Sequence, residues 1–237
     1  MHGDGENRAS ARTTIDLGEL RVRLDQMTER IVSRLKDRSR FALNQAVYRP
    51  GAVEIAGRVG LSFLEFSLEG LEAYHASLGR FSYPDQYPVS GAALPASPVT
   101  RTGSRPAVDR RTISIRDNLL TFYLGVLPRL CPPGDDPANY GETVYIDADL
   151  LQLLHERINV GRYVAEAKLR ADASVAASRH DPDLLASKLR DSRREEALIA
   201  AVRATAERYV LDPDVVEHIF RWIVEETLRV EVAYLHG

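Results

Sequence analysis

The sequence predicts an all-α protein, a bundle of long helices in which residues 14–237 form a single domain. Apolar residues recur every three or four positions through most of the 237-residue chain, which is the spacing of an amphipathic helix. Asp-Pro pairs at 181–182 and 212–213 are typical helix starts, with a capping aspartate followed by proline at the first helical position. Alternating strand patterns are scarce, and the best candidate, Thr-Val-Tyr-Ile at 143–146, is short.

The first half of the chain contains three predicted helices and one irregular segment. Residues 1–13 are polar and predict a flexible tail. The first helix covers about 14–42, the second 60–79, and a third apolar segment 113–130. One apolar stripe runs along the first helix: Leu20, Leu24, Met27, Ile31 and Leu35. The proline-, serine- and glycine-rich residues from about 82 to 111 predict an irregular excursion.

The last hundred residues have the most regular helical spacing. Three further helices are expected at about 144–174, 182–209 and 213–235, which makes about six in all. A helix of about thirty residues is about 45 Å long and needs a long partner to cover its apolar side. The pattern therefore favours a helical bundle or a dimer in which helices are exchanged.

The composition narrows the class of protein. Apolar residues make up 44% and charged residues 27%, which is typical of a soluble globular domain. A net charge of −3 and a pI near 6.1 give no basic field for nucleic acid, and no apolar run approaches the roughly 20 residues of a membrane span. Cys131 is the only cysteine, which excludes a disulfide or a cysteine metal cage within one chain. A cytoplasmic protein without a metal or cofactor is expected, since neither a signal peptide nor a phosphate loop is visible.

Several charged side chains occur on faces that also carry core residues. On the predicted helix 144–174, Val164 and Lys168 follow Arg157 at seven and eleven residues, so all three share one face. On the next helix Asp191, Arg194 and Glu195 lie at i, i+3 and i+4 and are again expected on one face. The other candidates are Arg21, Thr227, Leu228 and Glu231.

Each charged side chain among these candidates, taken alone, is better explained as part of a solvated helix face or of a surface ion pair, because charged residues are rarely buried. Asp191 and Arg194 could also be an ordinary helix-supporting pair. Periodicity by itself therefore leaves a helical protein of unknown role.

Four segments in order carry a resemblance to a known family. LRVRLDQMTERIVSRLKDRSRFA (20–42), SFLEFSLEGLEAYHASLGRFSYPDQYP (62–88), INVGRYVAEAK (158–168) and LRVEVAYL (228–235) resemble the larger, eukaryotic-type chorismate mutases. The similarity extends over about residues 14–235, and the C-terminal third also resembles the small bacterial helical mutases. The resemblance implies an all-helical homodimer with an active site in a four-helix core, and the isomerisation of chorismate, a small dicarboxylate, to prephenate in aromatic amino acid biosynthesis.

The family pattern implies a role for each candidate residue. Arg21 and Arg157 would each bind one carboxylate with help from Thr227, since the guanidinium fork suits carboxylates. Lys168 would reach the ether oxygen whose bond breaks, where negative charge grows. The remaining residues are Asp191 and Glu195 at the ring hydroxyl, Arg194 as in the bacterial pattern, and Val164 and Leu228 as apolar walls.

Glu231 stands where the small bacterial enzymes have a glutamine that donates to the ether oxygen. A carboxyl group can donate only when it is protonated. The resemblance therefore implies that burial raises the pKa of Glu231 and that the pH optimum of the enzyme is acid-shifted.

Yeast-type enzymes of this family bind aromatic amino acid effectors at the dimer interface. Three residues match that pattern and form a possible remnant of the effector site: Arg80, Asn139 and Gly141. Gly79 replaces an arginine of the pattern, and Glu142 and Tyr145 replace small hydroxyl residues. Loss of a cation and gain of a carboxylate weaken the capture of an amino acid carboxylate, so weak or absent regulation by tryptophan or tyrosine is expected.

Two other functions remain open at this point. The same fold could act on 4-amino-4-deoxychorismate or eliminate pyruvate, because either reaction needs a cationic pocket for two carboxylates. Alternatively, the chain could be a catalytically silent helical dimer that binds a ligand or partner. The presence of Arg21, Arg157, Lys168 and Glu195 together argues against a silent protein.

Overall fold

A computed structural model describes residues 15–82, 86–100, 108 and 113–236. All regular structure in these ranges is helical, which confirms the predicted all-α class. The α-helices are α1 Leu17–Ser39, α2 Phe63–Ser77, α3 Arg116–Leu130, α4 Tyr140–Asn159, α5 Gly161–Ala171, α6 Ala173–Ala177, α7 Pro182–Leu189, α8 Ser192–Arg208 and α9 Pro213–His236. Short 3₁₀ turns cover Gln45–Tyr48, Arg80–Ser82 and Pro137–Asn139. The predicted tail at 1–13 lies outside the described residues, as does much of the excursion at 82–111.

The helix starts follow the capping signals in the sequence. Asp181 caps α7 by accepting hydrogen bonds from the next turn, and Asp212 accepts from the Asp214 amide at 2.8 Å at the start of α9. Ser62 and Glu65 form a reciprocal capping box at α2. Gly79 follows the end of α2 with a φ of 73°, the left-handed conformation that ends helices. These local signals account for the starts of α2, α7 and α9 and for the end of α2.

The segment predicted as one helix at 144–174 is three helices, and the best strand candidate, at 143–146, is helical as well. Residues 143–146 belong to α4, which begins earlier, at Tyr140. Val144 and Ile146 are buried in the hydrophobic core, so packing of α4 against its neighbours overrides their β-propensity. Asp172 has an extended backbone and caps α6 by accepting from the Ser174 amide, which ends α5.

The helix predicted at 182–209 is also interrupted. Arg190 is extended after α7, and the Asp191 side chain accepts from the Arg194 amide at 3.2 Å as the cap of α8. Asp191 therefore precedes the helix that carries Arg194 and Glu195, and does not share its face. The longest described helices, α9 and α1, have 24 and 23 residues, so the predicted length near thirty is wrong.

Helix α4 is the central element and packs against α1, α2, α3 and α9. It runs parallel to α2, since Ser67 of α2 donates to the Val144 carbonyl and Glu72, one turn further, accepts from Gln152. It is antiparallel to α1, because Arg34 and Arg38 of α1 pair with Asp149 and Asp147 in reverse order, each at 2.7 Å. This arrangement places the C-terminal end of α4 beside the N-terminal half of α1.

A buried polar network fixes that arrangement. The Arg38 guanidinium and the Asp147 carboxylate are fully buried, and the hydroxyls of Tyr123 and Tyr48 donate to Asp147 at 2.6 Å and 2.7 Å. The carboxylate thus has three donors, which offset the cost of burying its charge. The C-terminal helices α5, α7 and α8 surround α9, and α1 completes this second layer. No described helix is both long and apolar enough to cross a membrane.

Candidate active site

A cavity lies between α1, α4, α5, α8 and α9, with a volume of about 610 Å³ that includes its opening to solvent. Its walls are formed by Leu24, Arg157, Gly161, Val164, Lys168, Leu189, Asp191, Arg194, Glu195, Leu198, Val224, Thr227, Leu228 and Glu231. Six of these residues have charged side chains, Glu231 among them, and most of the others are apolar.

The cavity brings together nine of the ten residues that the sequence proposed for substrate contact or catalysis. The tenth, Arg21, is not part of the wall. Its Nη2 atom lies 3.7 Å from Oδ2 of Asp191, which does line the cavity, and 43% of its side chain is exposed. Arg21 is therefore at the mouth of the cavity, near the start of α1. The structure gives the positions of these ten residues, and the role of each one in catalysis stays a prediction.

Arg157 provides a buried positive charge near the end of α4. Only 7% of the residue is exposed, and its Nε atom has no hydrogen-bond partner among the described residues. The pKa of Arg157 is lowered to about 10, mainly by burial and also by the Arg194 cation, whereas Asp25 and Glu231 act in the opposite direction. A cation held in this way has donor capacity left for a carboxylate, whose charge would repay its desolvation.

Lys168 of α5 and Glu231 of α9 face each other across the cavity. Lys168 Nζ lies 3.6 Å from Glu231 Oε2 and also donates to the backbone carbonyl of Leu189. Glu231 is 5% exposed, and burial raises its pKa to about 7, in the direction expected from the sequence. Lys168 and Arg157 act in the opposite sense, and the like charge of Glu195 adds to the rise. Glu231 can therefore be protonated near neutral pH and donate a hydrogen bond.

Helix α8 supplies charged groups at the opening. Arg194 Nη2 donates to Oδ1 of Asp25 on α1 at 3.1 Å, which connects α8 to α1 beside Arg157. Asp191, the cap of α8, lies between this pair and Arg21. The opening thus carries two arginines together with two carboxylates that partly neutralise them.

The polar and apolar groups of α9 complete the wall. Thr227 Oγ1 donates to the Ile223 carbonyl at 2.7 Å, within its own helix. This hydroxyl has to rotate before it can donate to a ligand. Leu228 on α9 and Val164 on α5 provide apolar surface on either side.

Sequence reasoning missed Gly161, the first residue of α5. A Cβ atom at this position would lie 2.8 Å from Thr227 Cγ2 and 3.3 Å from Glu231 Cγ. The absence of a side chain therefore lets α5 approach α9 at the level of the two predicted site residues. The signal in the sequence was an isolated glycine inside a helical pattern, in the segment INVGRYVAEAK.

The three residues of the predicted effector remnant do not meet within one chain. Arg80 pairs with Glu156, near the C-terminal end of α4. Asn139 and Gly141 lie at the N-terminal end of α4. Gly141 and Glu156 are 15 residues apart on that helix (156 − 141), which is about 22 Å along its axis.

Known proteins share both the sequence and this architecture. The family model described as chorismate mutase type II matches residues 139–232. A chorismate mutase of Trichoderma parareesei is 27% identical over 94% of this chain and 86% of its own length. The chloroplastic chorismate mutase 1 of Arabidopsis thaliana is 32% identical over 86% of this chain, which spans 62% of that relative. The crystal structure of a Candida albicans chorismate mutase in complex with L-Trp superposes with a TM-score of 0.87 at 26% identity, over 94% of this chain and 91% of that one.

The chain belongs to the chorismate mutase family. The residues matched by the family model run from the start of α4 into α9, so they include every cavity residue except Leu24. Arg21 also lies outside that match, and only the tertiary structure places it beside the chorismate mutase cavity.

Proposed function

We propose that the chain isomerises chorismate to prephenate within the cavity between α1, α4, α5, α8 and α9. The observation that carries this proposal is the buried Arg157 guanidinium beside the Lys168–Glu231 pair in one enclosure. Membership of the chorismate mutase family agrees with this activity and with a place in aromatic amino acid biosynthesis.

The reaction needs a shaped and charged enclosure. One C–O bond of chorismate breaks as one C–C bond forms in the same molecule, and no atom enters or leaves. Catalysis therefore comes from holding the chair-like conformer and from stabilising charge that grows on the ether oxygen.

Two carboxylates of the substrate require two cationic positions. Arg157 supplies the inner one, because its buried guanidinium is available for bidentate contact. Arg21 and Arg194 both lie at the opening and can supply the outer one. Both are already paired with aspartates, so the substrate carboxylate would replace or share a contact with Asp191 or Asp25.

The ether oxygen would lie beside the Lys168–Glu231 pair, at a point that both groups can reach, because the 3.6 Å between them leaves no room for an atom directly in between. The Lys168 ammonium stabilises negative charge directly, and a protonated Glu231 donates a second hydrogen bond. A bound dianion raises the pKa of Glu231 further, because like charges disfavour ionisation. The geometry thus supports a protonated carboxyl group in the complex with the substrate.

The other wall residues would fix the ring. Asp191 and Glu195 are the acceptors for the ring hydroxyl, and Thr227 assists a carboxylate once its hydroxyl has rotated. Val164 and Leu228 exclude water from the two faces of the ring.

A homodimer is part of the proposal. Apolar side chains of α2 and α4 are exposed in the single chain: Phe66, Tyr74, Leu78 and Tyr145. Covering them with a second copy would bury this surface, and it would allow Arg80 of one copy to meet Asn139 and Gly141 of the other. Light scattering coupled to size exclusion should give twice the mass of the chain, and a monomer at micromolar concentration would contradict it. Weak or absent regulation by tryptophan or tyrosine, and a cytoplasmic location, are proposed as well.

The test of the activity is a comparison of substrates on the purified protein. We expect chorismate to disappear and prephenate to accumulate in equal amounts, with little turnover of 4-amino-4-deoxychorismate and no release of pyruvate. Faster turnover of the amino compound would reassign the substrate, and release of pyruvate would reassign the reaction. A protein that binds chorismate without turnover would instead be the silent dimer.

A further inference from the structure

Three consecutive residues at the junction of α7 and α8 each contact a group of the active site. The carbonyl of Leu189 accepts from Lys168, and Asp191 lies beside Arg21. Arg190, between them, pairs with Glu195. Leu189 and Asp191 themselves line the cavity, whereas Arg190 does not.

Glu195 separates the active-site cavity from a second cavity of about 520 Å³ on the outer side of α8 and α9. Arg190 lines only this outer cavity, together with Glu225 of α9. The Arg190 guanidinium therefore holds the Glu195 side chain from the side that faces away from the substrate.

The Arg190 guanidinium is itself held by a bidentate pair. Its Nη1 and Nη2 atoms donate to Oε1 and Oε2 of Glu225 at 2.9 Å and 2.8 Å, and Nη1 also reaches Oε2 of Glu195 at 3.1 Å. A planar guanidinium with two contacts to Glu225 has little freedom to rotate, so its third contact has a defined position. The triad connects the end of α7, the first turn of α8 and the middle of α9.

We propose that Arg190 is a positioning residue for the isomerisation, which fixes the Glu195 carboxylate at the wall of the cavity and offsets its charge. This inference rests on the proposed function, in which Glu195 accepts from the substrate hydroxyl. Sequence reasoning did not select Arg190, because it expected an unbroken helix through this junction.

The charge on Arg190 also reaches Glu231 through Glu195. Four charged groups surround this part of the cavity from different helices: Arg157 of α4, Lys168 of α5, Glu195 of α8 and Glu231 of α9. Glu195 raises the pKa of Glu231 by like-charge repulsion. Removal of Arg190 leaves the Glu195 charge less compensated, so the pKa of Glu231 rises and the alkaline limb of the activity profile moves to higher pH.

The experiment compares four variants with the wild-type full chain. For Arg190→Gln we expect the KM for chorismate to rise about threefold to fivefold, and the alkaline limb to move upward by about 0.3 pH units, as suits the loss of one partly exposed charge pair. Arg190→Lys keeps the charge and loses the fork, so the limb stays in place while KM stays raised. Glu225→Gln loosens the guanidinium and raises KM about twofold.

Arg203→Gln is the matched control. Arg203 also connects α8 to α9, through Asp214 at 2.7 Å, and it contacts no residue of the cavity wall. We expect its KM and pH profile to equal those of the wild type. Equal KM changes in the Arg190 and Arg203 variants would mean general loosening of α8 and α9, and would overturn the inference. An Arg190→Gln variant with the same KM and pH profile as an active wild type would also overturn the inference. A wild type without turnover would overturn the proposed function and this inference together.

Discussion

The carboxyl group of Glu231 lies 3.6 Å from the ammonium nitrogen of Lys168, and the two side chains come from different helices into one enclosed space. The distance allows one small oxygen atom to contact both groups. A change in the charge of one group alters the protonation of the other. The pair is therefore the most informative place to test the proposed chemistry.

The activity should fall as pH rises through about 7, because the form of Glu231 that donates is the protonated one and burial raises its pKa to about 7. Glu231→Gln donates at every pH, so its profile should be flat from pH 5 to 8. The measurement is kcat/KM for chorismate across that range, with Glu207→Gln on the exposed end of α8 as the control. A descending limb that remains in Glu231→Gln would assign the titration to another group.

The same group makes a contribution to stability that depends on pH. Because the folded-state pKa of Glu231 lies above its usual value of 4.5, its contribution to folding is fully present below pH 4.5 and is lost as pH rises through about 7. The free energy of unfolding of the wild type should therefore fall relative to Glu231→Gln between pH 5 and pH 8. Urea titrations at the two values measure this difference, and an equal difference at both would contradict the raised pKa.

Lys168→Ala should lower kcat by about a hundredfold to a thousandfold, because it removes the cation nearest to the growing charge. Its helical circular dichroism should stay close to that of the wild type, since the hydrogen bond that the fold loses is the one to the Leu189 carbonyl at the end of α7. Lys188→Ala, on the exposed side of α7, is the control and should retain full activity. Turnover that survives in Lys168→Ala would place the chemistry elsewhere.

Gly161→Ala should lower activity although alanine favours helices. Its Cβ would meet Thr227 Cγ2 at 2.8 Å, so α9 has to shift at the level of Thr227 and Glu231 at a cost of about 1–3 kcal/mol. Gly125 on α3 has open space around the position of an added Cβ, so Gly125→Ala should raise the free energy of unfolding by about 1 kcal/mol without changing kcat. Equal behaviour of the two variants in thermal unfolding and turnover would contradict the close approach.

Arg157→Met should separate function from stability. The buried guanidinium carries a pKa lowered to about 10, which shows that the fold disfavours its charged form. Methionine fills a similar volume without that cost, so the free energy of unfolding should be unchanged or higher by about 1 kcal/mol. Binding of chorismate, measured by calorimetry, should be lost. A variant that is destabilised by several kcal/mol would mean that Arg157 supports the fold.

Local signals in the sequence were sufficient for the starts of α7 and α9 and for selecting most of the site residues. Asp181 and Asp212 specify the beginnings of α7 and α9 through their own side chains, so no distant contact is needed. Arg157, Val164 and Lys168 share a face because helical spacing is regular, even across the break at Val160 between α4 and α5.

The errors came from places where tertiary packing decided the outcome. Residues 143–146 have strand-forming side chains, but Val144 and Ile146 are buried in the core where α4 packs against α1 and α2, and the segment is helical. The break at Arg190 had no proline or glycine to mark it, and a capping aspartate inside a helical pattern looks like any other charged residue until its side chain bonds the Arg194 amide.

The sequence by itself determined the all-α class, the helix caps and the set of charged residues that a dicarboxylate site would need, because these depend on spacing and on side-chain chemistry. Only the tertiary structure decided that Arg157 is buried with unused donor capacity, that Gly161 lets α5 approach α9, and that Arg190 holds Glu195 from outside. Burial and distance between helices are properties of the packed chain, and they set the pKa of Glu231 that the proposed chemistry requires.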